Sequence, residues 1–177
     1  GLGAFNYTFT NVTATHTIDA SFNIEQFTLT VASAYGMPNP ANGIYTNSYN
    51  TLLTNTVANS PQIDGGTQHV CTSWTLTGNE DTNGYSANYS GATNMAMYIT
   101  NNATLSWNWA TWYQLDASAV SLGEVTGDTN GWYQSGASAW VQASPTDTGY
   151  VFVAWSGDVP ADQTNNPSIP LLMDRAR

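Results

Sequence analysis

The stretch "ITNNATLSWNW", residues 99–109, alternates polar and apolar side chains over its last six positions. A period of two places Leu105, Trp107 and Trp109 on one face of a β-strand. The same period, rich in Thr, Val, Tyr and Trp, runs along the whole chain between Asn-Gly, Asp-Gly and Pro signals. No window offers a capped helix of about ten residues or more. The sequence therefore predicts an all-β fold.

A repeat is visible because "VTATHTIDASF" (12–22) aligns without gaps on residues 99–109. Four further pairs of segments match in the same order, at offsets from 81 (69 to 150) to 88 (42 to 130). They are "FTLTVASAYG" (27–36) with "YQLDASAVSLG" (113–123), "NGIYTNS" (42–48) with "NGWYQSG" (130–136), "VANSP" (57–61) with "VQASP" (141–145), and "HVCTSW" (69–74) with "YVFVAW" (150–155). The phase of the repeat, that is, the positions at which its copies begin and end, predicts three parts of the chain. These are an N-terminal strand segment at 1–24 that ends one repeat, a complete module at 25–112, and a second module at 113–177 that lacks its final strand.

Composition excludes several classes of partner. Only 8% of the residues are charged, none is Lys, and the net charge is −10, so no basic patch can neutralise nucleic acid phosphates or bind an anionic membrane surface. No apolar run approaches the length needed for membrane insertion. A surface built from hydroxyl and amide groups is typical of secreted and cell-surface β-proteins. The single cysteine, Cys71, excludes an intrachain disulfide and reads as a small buried apolar group.

The segment "GYVFVAWSGDVPADQTNNPSIPLLMDRAR" (149–177) resembles the bacterial extracellular repeat family related to the internalin B-repeats, most specifically from Trp155 to Asp158. "TQHVCTSWTLTG" (67–78) followed by "ATLSWNW" (103–109) resembles a longer variant of that repeat. The resemblance implies small β-grasp-like or β-sandwich modules, strung in tandem in large secreted or surface-anchored bacterial proteins, with no catalytic residues. This chain departs from the family pattern because the closing strand of the second module is missing.

Catalytic and metal motifs are weak. No nucleophile elbow, zinc-protease motif or P-loop is present, and His16 and His69 lie in plain strand patterns, so we expect no enzyme activity. "DTNG" occurs twice, and each copy is better explained as a hairpin turn than as a calcium loop. The loop "SGDVPADQTNN" (156–166) gathers Asp158, Asp162 and Asn165 and is the better candidate for calcium. Otherwise we expect no cofactor.

Two features of the sequence point to carbohydrate, one to binding of a glycan and one to glycosylation. Trp107 and Trp112 are candidates for stacking on sugar rings, although core packing is the better explanation of this tryptophan cluster, since Trp109 aligns with Phe22. Four Asn-x-Ser/Thr sequons are candidate glycosylation sites: Asn6, Asn11, Asn88 and Asn102.

The missing strand leads to the function hypotheses. We expect a protomer of a bacterial extracellular filament or surface stalk, in which copies assemble head to tail by strand complementation. The predicted donor residues are Thr17, Ile18, Ala20 and Phe22, and the predicted acceptor edge is Leu171, Leu172 and Met173. Cleavage after Arg177 would leave such a subunit.

Three alternatives remain open from sequence. The missing strand could follow covalently in a longer repeat polypeptide, or residues 17–22 could insert into the second module of their own chain. The chain could also serve as a carbohydrate-binding, adhesive module.

Overall fold

The structure is a computed structural model that describes residues 6–88 and 92–177. The described residues contain strands and turns, and none of them forms a helix that could cross a membrane. The strands are β1 Gln26–Ser33, β2 Met37–Asn39, β3 Gly43–Ser48, β4 Thr51–Ala58, β5 Gln62–Asp64, β6 Thr67–Thr77, β7 Ala87–Asn88, β8 Asn94–Ile99, β9 Ala103–Asp116, β10 Gly123–Gly127, β11 Asn130–Gln134, β12 Ser138–Pro145 and β13 Ser168–Leu172. The predicted all-β class is confirmed.

The first lobe comprises β1–β8 and residues 103–110 of β9. Its large sheet has the order β3-β1-β9-β6-β5, and β7 also pairs with β6. A second sheet of order β2-β4-β8 contributes to the same core. Side chains at alternate positions of both sheets are buried there, because a strand between two layers must hide one face. The core residues are Leu29, Val31, Val57, Cys71, Trp74, Leu76, Met95, Met97, Ile99, Ala103, Leu105 and Trp107.

The second lobe comprises residues 111–177. Its sheet has the order β10-β12-β13, and β11 pairs separately with the C-terminal part of β9. This core is smaller and consists of Leu115, Ala139, Val141, Ile169, Leu171 and Met173, with several half-buried residues around them. Fewer buried apolar groups mean that less of this lobe's stability comes from removal of apolar surface from water.

Strand β9 belongs to both lobes. Its first residues pair in parallel with β1, from Leu29 opposite Ala103 to Ser33 opposite Trp107. Its last five residues, 112–116, pair with β11, and β6 lies along its other edge up to Tyr113. The ladder continues across positions 112 and 113, where the sequence places a boundary between repeats. The lobes are therefore joined by one continuous strand, with no linker in between.

Matched sequence segments occupy like positions in the two lobes, with one exception. Strand β3 lies against β1 as β11 lies against the end of β9, and the pair β4–β8 corresponds to β12–β13. Residues 150–155 are the exception, because they match β6 in sequence but form no strand. Strand β6 has β9 on one edge and β5 and β7 on the other. Residues 150–155 have no such neighbour among the described strands, so no ladder can form.

Candidate functional site

A groove of about 430 Å³ lies in the second lobe, at the position where the first lobe holds β9. Residues 118–125 line one wall, residues 150–156 line the other, and residues 143–145 complete the lining. In the first lobe, β9 lies between β1 and β6. Residues 118 and 119 correspond by sequence to the end of β1, residues 120–123 to the turn after it, and residues 150–155 to β6. The groove therefore lies where the later residues of a strand between the equivalents of β1 and β6 would run.

The start of a parallel ladder is present at one end of this groove. Arg177 donates its backbone N–H to the Gln114 carbonyl at 2.9 Å, and its own carbonyl accepts from Asp116 at 2.9 Å. This alternation is that of a parallel ladder in which Arg177 lies opposite Leu115. Leu29 and Ala103 are paired in the same way at the start of the β1–β9 ladder. Arg177 therefore occupies the first position of the strand that the groove would hold.

The wall at 150–156 presents apolar side chains that are not covered by the described part of the chain. Val151 and Val153 are 80% and 79% exposed, while Phe152 and Trp155 are half-buried with ring centroids 5.4 Å apart. The Trp155 indole N–H donates to the Asn166 carbonyl at 2.8 Å, which fixes the ring against the following loop. Exposed valines on both sides of a ring pair are typical of a surface that a further element covers.

The predicted donor residues lie in a segment that pairs with nothing. Residues 6–24 form no strand, and every one of them is exposed, Phe22 to 91% and Ile18 to 64%. Among the described contacts, the segment makes two ring contacts within itself, Phe9 with Tyr7 and Phe9 with His16. In an extended chain, Ile18, Ala20 and Phe22 share one face. Thr17, which we grouped with them from sequence, lies on the opposite face.

The structure places the three predicted acceptor residues at or next to a strand that is already paired. Leu171 and Met173 are buried in the second core, and β13 pairs with β12 along its length. Leu172 points out of the lobe and is half exposed. The open walls are instead residues 118–125 and 150–156. From sequence, the open edge was predicted on β13, the strand that comes just before the missing one along the chain. In this fold, a strand that followed β13 would cross to the other sheet, as β9 does after β8.

An ion cluster fixes the position of Arg177. Arg175 binds both carboxylate oxygens of Asp158, at 2.6 and 2.8 Å. The Arg177 guanidinium, of which only 6% is exposed, bridges Asp158 and Asp174 and donates to the Leu172 carbonyl. The hydrogen bonds from Arg175 hold the pKa of Asp158 below its ordinary value, and the charge of Arg177 acts in the same direction. The cluster thereby holds Arg177 at its ladder position.

The candidate calcium ligands are arranged differently from a metal site. Asp158 is occupied by the two guanidinium groups, and Asp162 accepts from the Gln163 amide. The Asn165 side chain is exposed. In residues 6–88 and 92–177, no three His, Cys, Asp or Glu side chains lie close enough together to hold a metal ion. The described residues therefore provide no group of ligands for the predicted calcium site.

The tryptophans and sequons are placed as follows. Trp107 is 4% exposed in the first core, so its ring cannot stack on a sugar, and Trp112 is half-buried on β9. Asn6 and Asn11 are exposed on the N-terminal segment. Asn102 is exposed, but its Oδ1 accepts from the Thr28 N–H at 2.8 Å. The side chain of Asn88 lies outside the part of the structure that is described.

The two histidines and Cys71 have structural contacts. His69 lies 3.0 Å from the Thr111 hydroxyl and stacks on Tyr35, with centroids 3.6 Å apart. His16 stacks on Phe9. Cys71 is buried in the first core, and this desolvation raises the pKa of its thiol. None of the three is placed next to a second reactive group in the described residues. Sequence reasoning missed the walls of the groove, for which the signal was the match of 150–155 to β6, and the ion cluster of Arg175 and Arg177 with Asp158 and Asp174.

Comparison with known proteins adds one match. A search of curated proteins and a search of solved structures each found nothing similar to this chain. The family model of the divergent InlB B-repeat domain matches residues 113–176, which include the groove and both of its walls. The match confirms the resemblance seen in the sequence and indicates a surface repeat module of the kind found in bacteria. The second lobe is thus similar to a divergent InlB B-repeat domain.

Proposed function

We propose that this chain is a structural protomer of an extracellular bacterial filament or surface stalk, in which the groove of one copy receives the N-terminal segment of the next. The observation that carries the proposal is the parallel ladder begun by Arg177 between two uncovered walls. A strand inserted there would continue the ladder after Arg177, pairing with residues 116–119 on one side and residues 150–155 on the other. It would satisfy two open edges at once.

The donor segment supplies suitable side chains in the required phase. The alignment of residues 12–22 with 99–109 has a constant difference of 87, so Ile18 and Ala20 take the places of Leu105 and Trp107. Both of those residues are buried in the first lobe. Phe22 takes the place of the half-buried Trp109. A strand with three apolar residues on one face and Thr17, Asp19 and Ser21 on the other fits a groove that is open to solvent on one side.

Distance favours a second copy over insertion into the same chain. The groove begins beside Leu115, which is twelve residues beyond Ala103 on β9, or about 40 Å of strand. Glu25 lies at the far end of the first lobe, where its carbonyl accepts from Tyr49 at the start of β1. Three residue steps separate Phe22 from Glu25 and reach at most about 11 Å. Self-insertion would therefore require β1 to leave its sheet.

The role that we propose is non-catalytic, with other copies of the chain as the partner. The net charge of −10 supports the expectation that nucleic acid and anionic membranes are not partners. A carbohydrate-binding role has less support, because one of its two candidate tryptophans is in the core. The surface or extracellular location rests on the family match, and the filament form of assembly rests on the groove.

The test compares two single substitutions in the full chain. Ile18→Asp puts a carboxylate on the face that enters the groove, whereas Thr17→Asp puts the same group on the outward face. We expect fibres for the unaltered chain and for T17D by negative-stain microscopy and size-exclusion chromatography. We expect I18D to remain monomeric, because burial of an unpaired carboxylate is strongly unfavourable.

Removal of residues 1–24 should also abolish assembly. Since residues 6–24 make no described contact with either lobe, the shortened chain should keep its melting temperature. A synthetic peptide of residues 12–25 should then bind it and raise that temperature. Fibres formed by the shortened chain, or by I18D, would refute strand donation, and a monomer in which residues 16–22 are protected from exchange would point to self-insertion.

A further inference from the structure

The joint between the two lobes is formed by sequence segments that have matches near both ends of the chain. At this joint β9 passes from the first lobe into the second, and β6 follows it from Thr77 opposite Thr104 to Thr67 opposite Tyr113. The Gly66 carbonyl then accepts from the Gln114 N–H at 2.8 Å. A Cβ on Gly66 would lie 2.5 Å from the Ala176 Cβ, so only glycine allows the turn to approach this closely.

The N-terminal part of the chain matches the whole of this joint, including the part outside the groove. Residues 12–22 align with 99–109, and residues 27–33 align with 113–119. The donor segment and β1 together, residues 17–33, thus correspond to residues 104–119, with one extra residue between Phe22 and Phe27 that a β-bulge would accommodate. Phe27 takes the place of Tyr113, and each of these rings packs against the core of its lobe.

The start of β1 has an exposed edge where a preceding lobe would fit. Gln114 N–H is bound by the carbonyl of Gly66, which comes from the preceding lobe. The equivalent N–H, that of Thr28, is bound at the same distance of 2.8 Å by the Asn102 side chain. The Asn102 side chain therefore accepts the hydrogen bond that a backbone carbonyl accepts at the internal joint. The residue equivalent to Gly66 is Asp147, on the turn before residues 150–155.

The connection between the groove and β1 is too short to act as a flexible tether. Residues 23 and 24 separate Phe22 from Glu25, which is already held against Tyr49. A donor whose Phe22 lies in the groove must therefore bring its β1 directly against the acceptor.

We propose that residues 17–33 of the donor form a single strand, with one bulge between Phe22 and Phe27, that crosses from one copy into the next, so that the joint between copies reproduces the internal joint at β9. The acceptor turn at 146–149 then packs on the donor at Thr28, where its backbone replaces the Asn102 side chain in the manner of Gly66 at Gln114, and residues 148–150 pair with donor residues 25–27. This inference rests on the proposed strand donation. It adds a second contact, outside the groove, between the acceptor and the first lobe of the donor.

The β6–β9 ladder gives the positions for a cysteine test. His69 lies opposite Thr111, and the offsets of 81 and 86 place acceptor Tyr150 opposite donor Glu25. Full chains carrying Glu25→Cys are mixed with full chains carrying Tyr150→Cys and oxidised after assembly. We expect a disulfide-linked dimer on a non-reducing gel, since directly opposed strand residues are within disulfide distance. The control is Leu52→Cys, an exposed position on β4, in place of Tyr150→Cys.

Hydrogen exchange separates failure of this inference from failure of the proposed function. Pepsin peptides that cover residues 16–22 and 23–27 are compared in assembled and unassembled chains. Protection of both, together with the E25C–Y150C disulfide, supports the continuous strand. Protection of 16–22 alone, without the disulfide, overturns the continuous strand but keeps strand donation. Absence of protection in both, with no assembly, overturns strand donation itself.

Discussion

At the scale of single residues, the two arginines, Arg175 and Arg177, fix the backbone of Arg177 in place. They are the only cationic side chains besides histidine, and both bind Asp158. Surface ion pairs usually contribute little to stability, but a network that holds one carboxylate with two guanidinium groups also fixes a geometry. Here the geometry that is fixed is the backbone of Arg177, beside Leu115.

The ion cluster predicts an acid-sensitive groove. The pKa of Asp158 is lowered in the folded chain, so the unfolded chain binds a proton on this group more readily. The stabilisation is complete above the unfolded pKa of about 4 and is lost as the pH falls through the lower, folded value. We expect Asp158→Asn to remove this part of the fall in melting temperature between about pH 5 and pH 2. Asp162→Asn, which removes an equal charge without an arginine partner, should leave the fall unchanged.

A buried asparagine predicts a stabilising substitution. Asn55 is 1% exposed in the first lobe; its Oδ1 has no hydrogen-bond partner among the described residues, and its Nδ2 has only the Met95 sulfur at 3.3 Å. We expect Asn55→Leu to raise the free energy of unfolding by about 1 kcal/mol, because an unpaired buried carbonyl is removed. The comparison is Asn108→Leu, which breaks a 2.9 Å hydrogen bond to Ser73 and should be destabilising. A fall in stability for N55L, measured by urea unfolding, would contradict the expectation.

At the scale of elements, two similar segments have different structures because only one has a partner. "HVCTSW" (69–74) lies in β6 between neighbours, while "YVFVAW" (150–155) has the same alternation and forms no strand. Strand propensity in a segment of six residues is decided by cross-strand contacts, which the second segment lacks. Its state should therefore depend on whether the groove is filled.

This difference predicts contrasting amide exchange within one chain. In the unassembled chain, amides of residues 151–154 should exchange within seconds, whereas those of residues 70–74 should be slower by orders of magnitude. After assembly, residues 151–154 should become protected as well. Equal protection of the two segments before assembly would show that residues 150–155 already have a partner strand.

At the scale of the whole molecule, two lobes share one strand and one sign of charge. A net charge of −10 on each copy opposes association, while the proposed contact surfaces are apolar. Charge repulsion between copies is screened over about 8 to 10 Å at physiological salt, and apolar burial is not weakened by moderate salt.

Salt should therefore promote assembly. We expect the rate of fibre growth, followed by light scattering, to rise as sodium chloride is increased from about 10 to 200 mM at pH 7. The I18D chain serves as the control and should show no growth at any of these concentrations. Slower growth at higher salt would mean that the joint depends on charge pairs instead of apolar burial.

The sequence by itself determined the all-β class and the family resemblance of the second lobe. Each of these depends on local alternation and on segment matches, which need no knowledge of distant contacts. It also predicts residues 17–22 as a strand without a partner, and this stays a prediction, since residues 6–24 form no strand in the structure. What it could not give was the acceptor, because Leu171 and Met173 read as an open edge when only the order of segments along the chain is known.

Only the tertiary structure decided which edges are open. The crossover after β8 brings β9 between β1 and β6, and the same crossover after β13 brings Arg177 beside Leu115. The burial of Trp107 and the capture of Asp158 by two arginines were likewise decided by strands distant in sequence. Sheet pairing is non-local, so the edge that lacks a partner becomes visible only when every other strand has been placed.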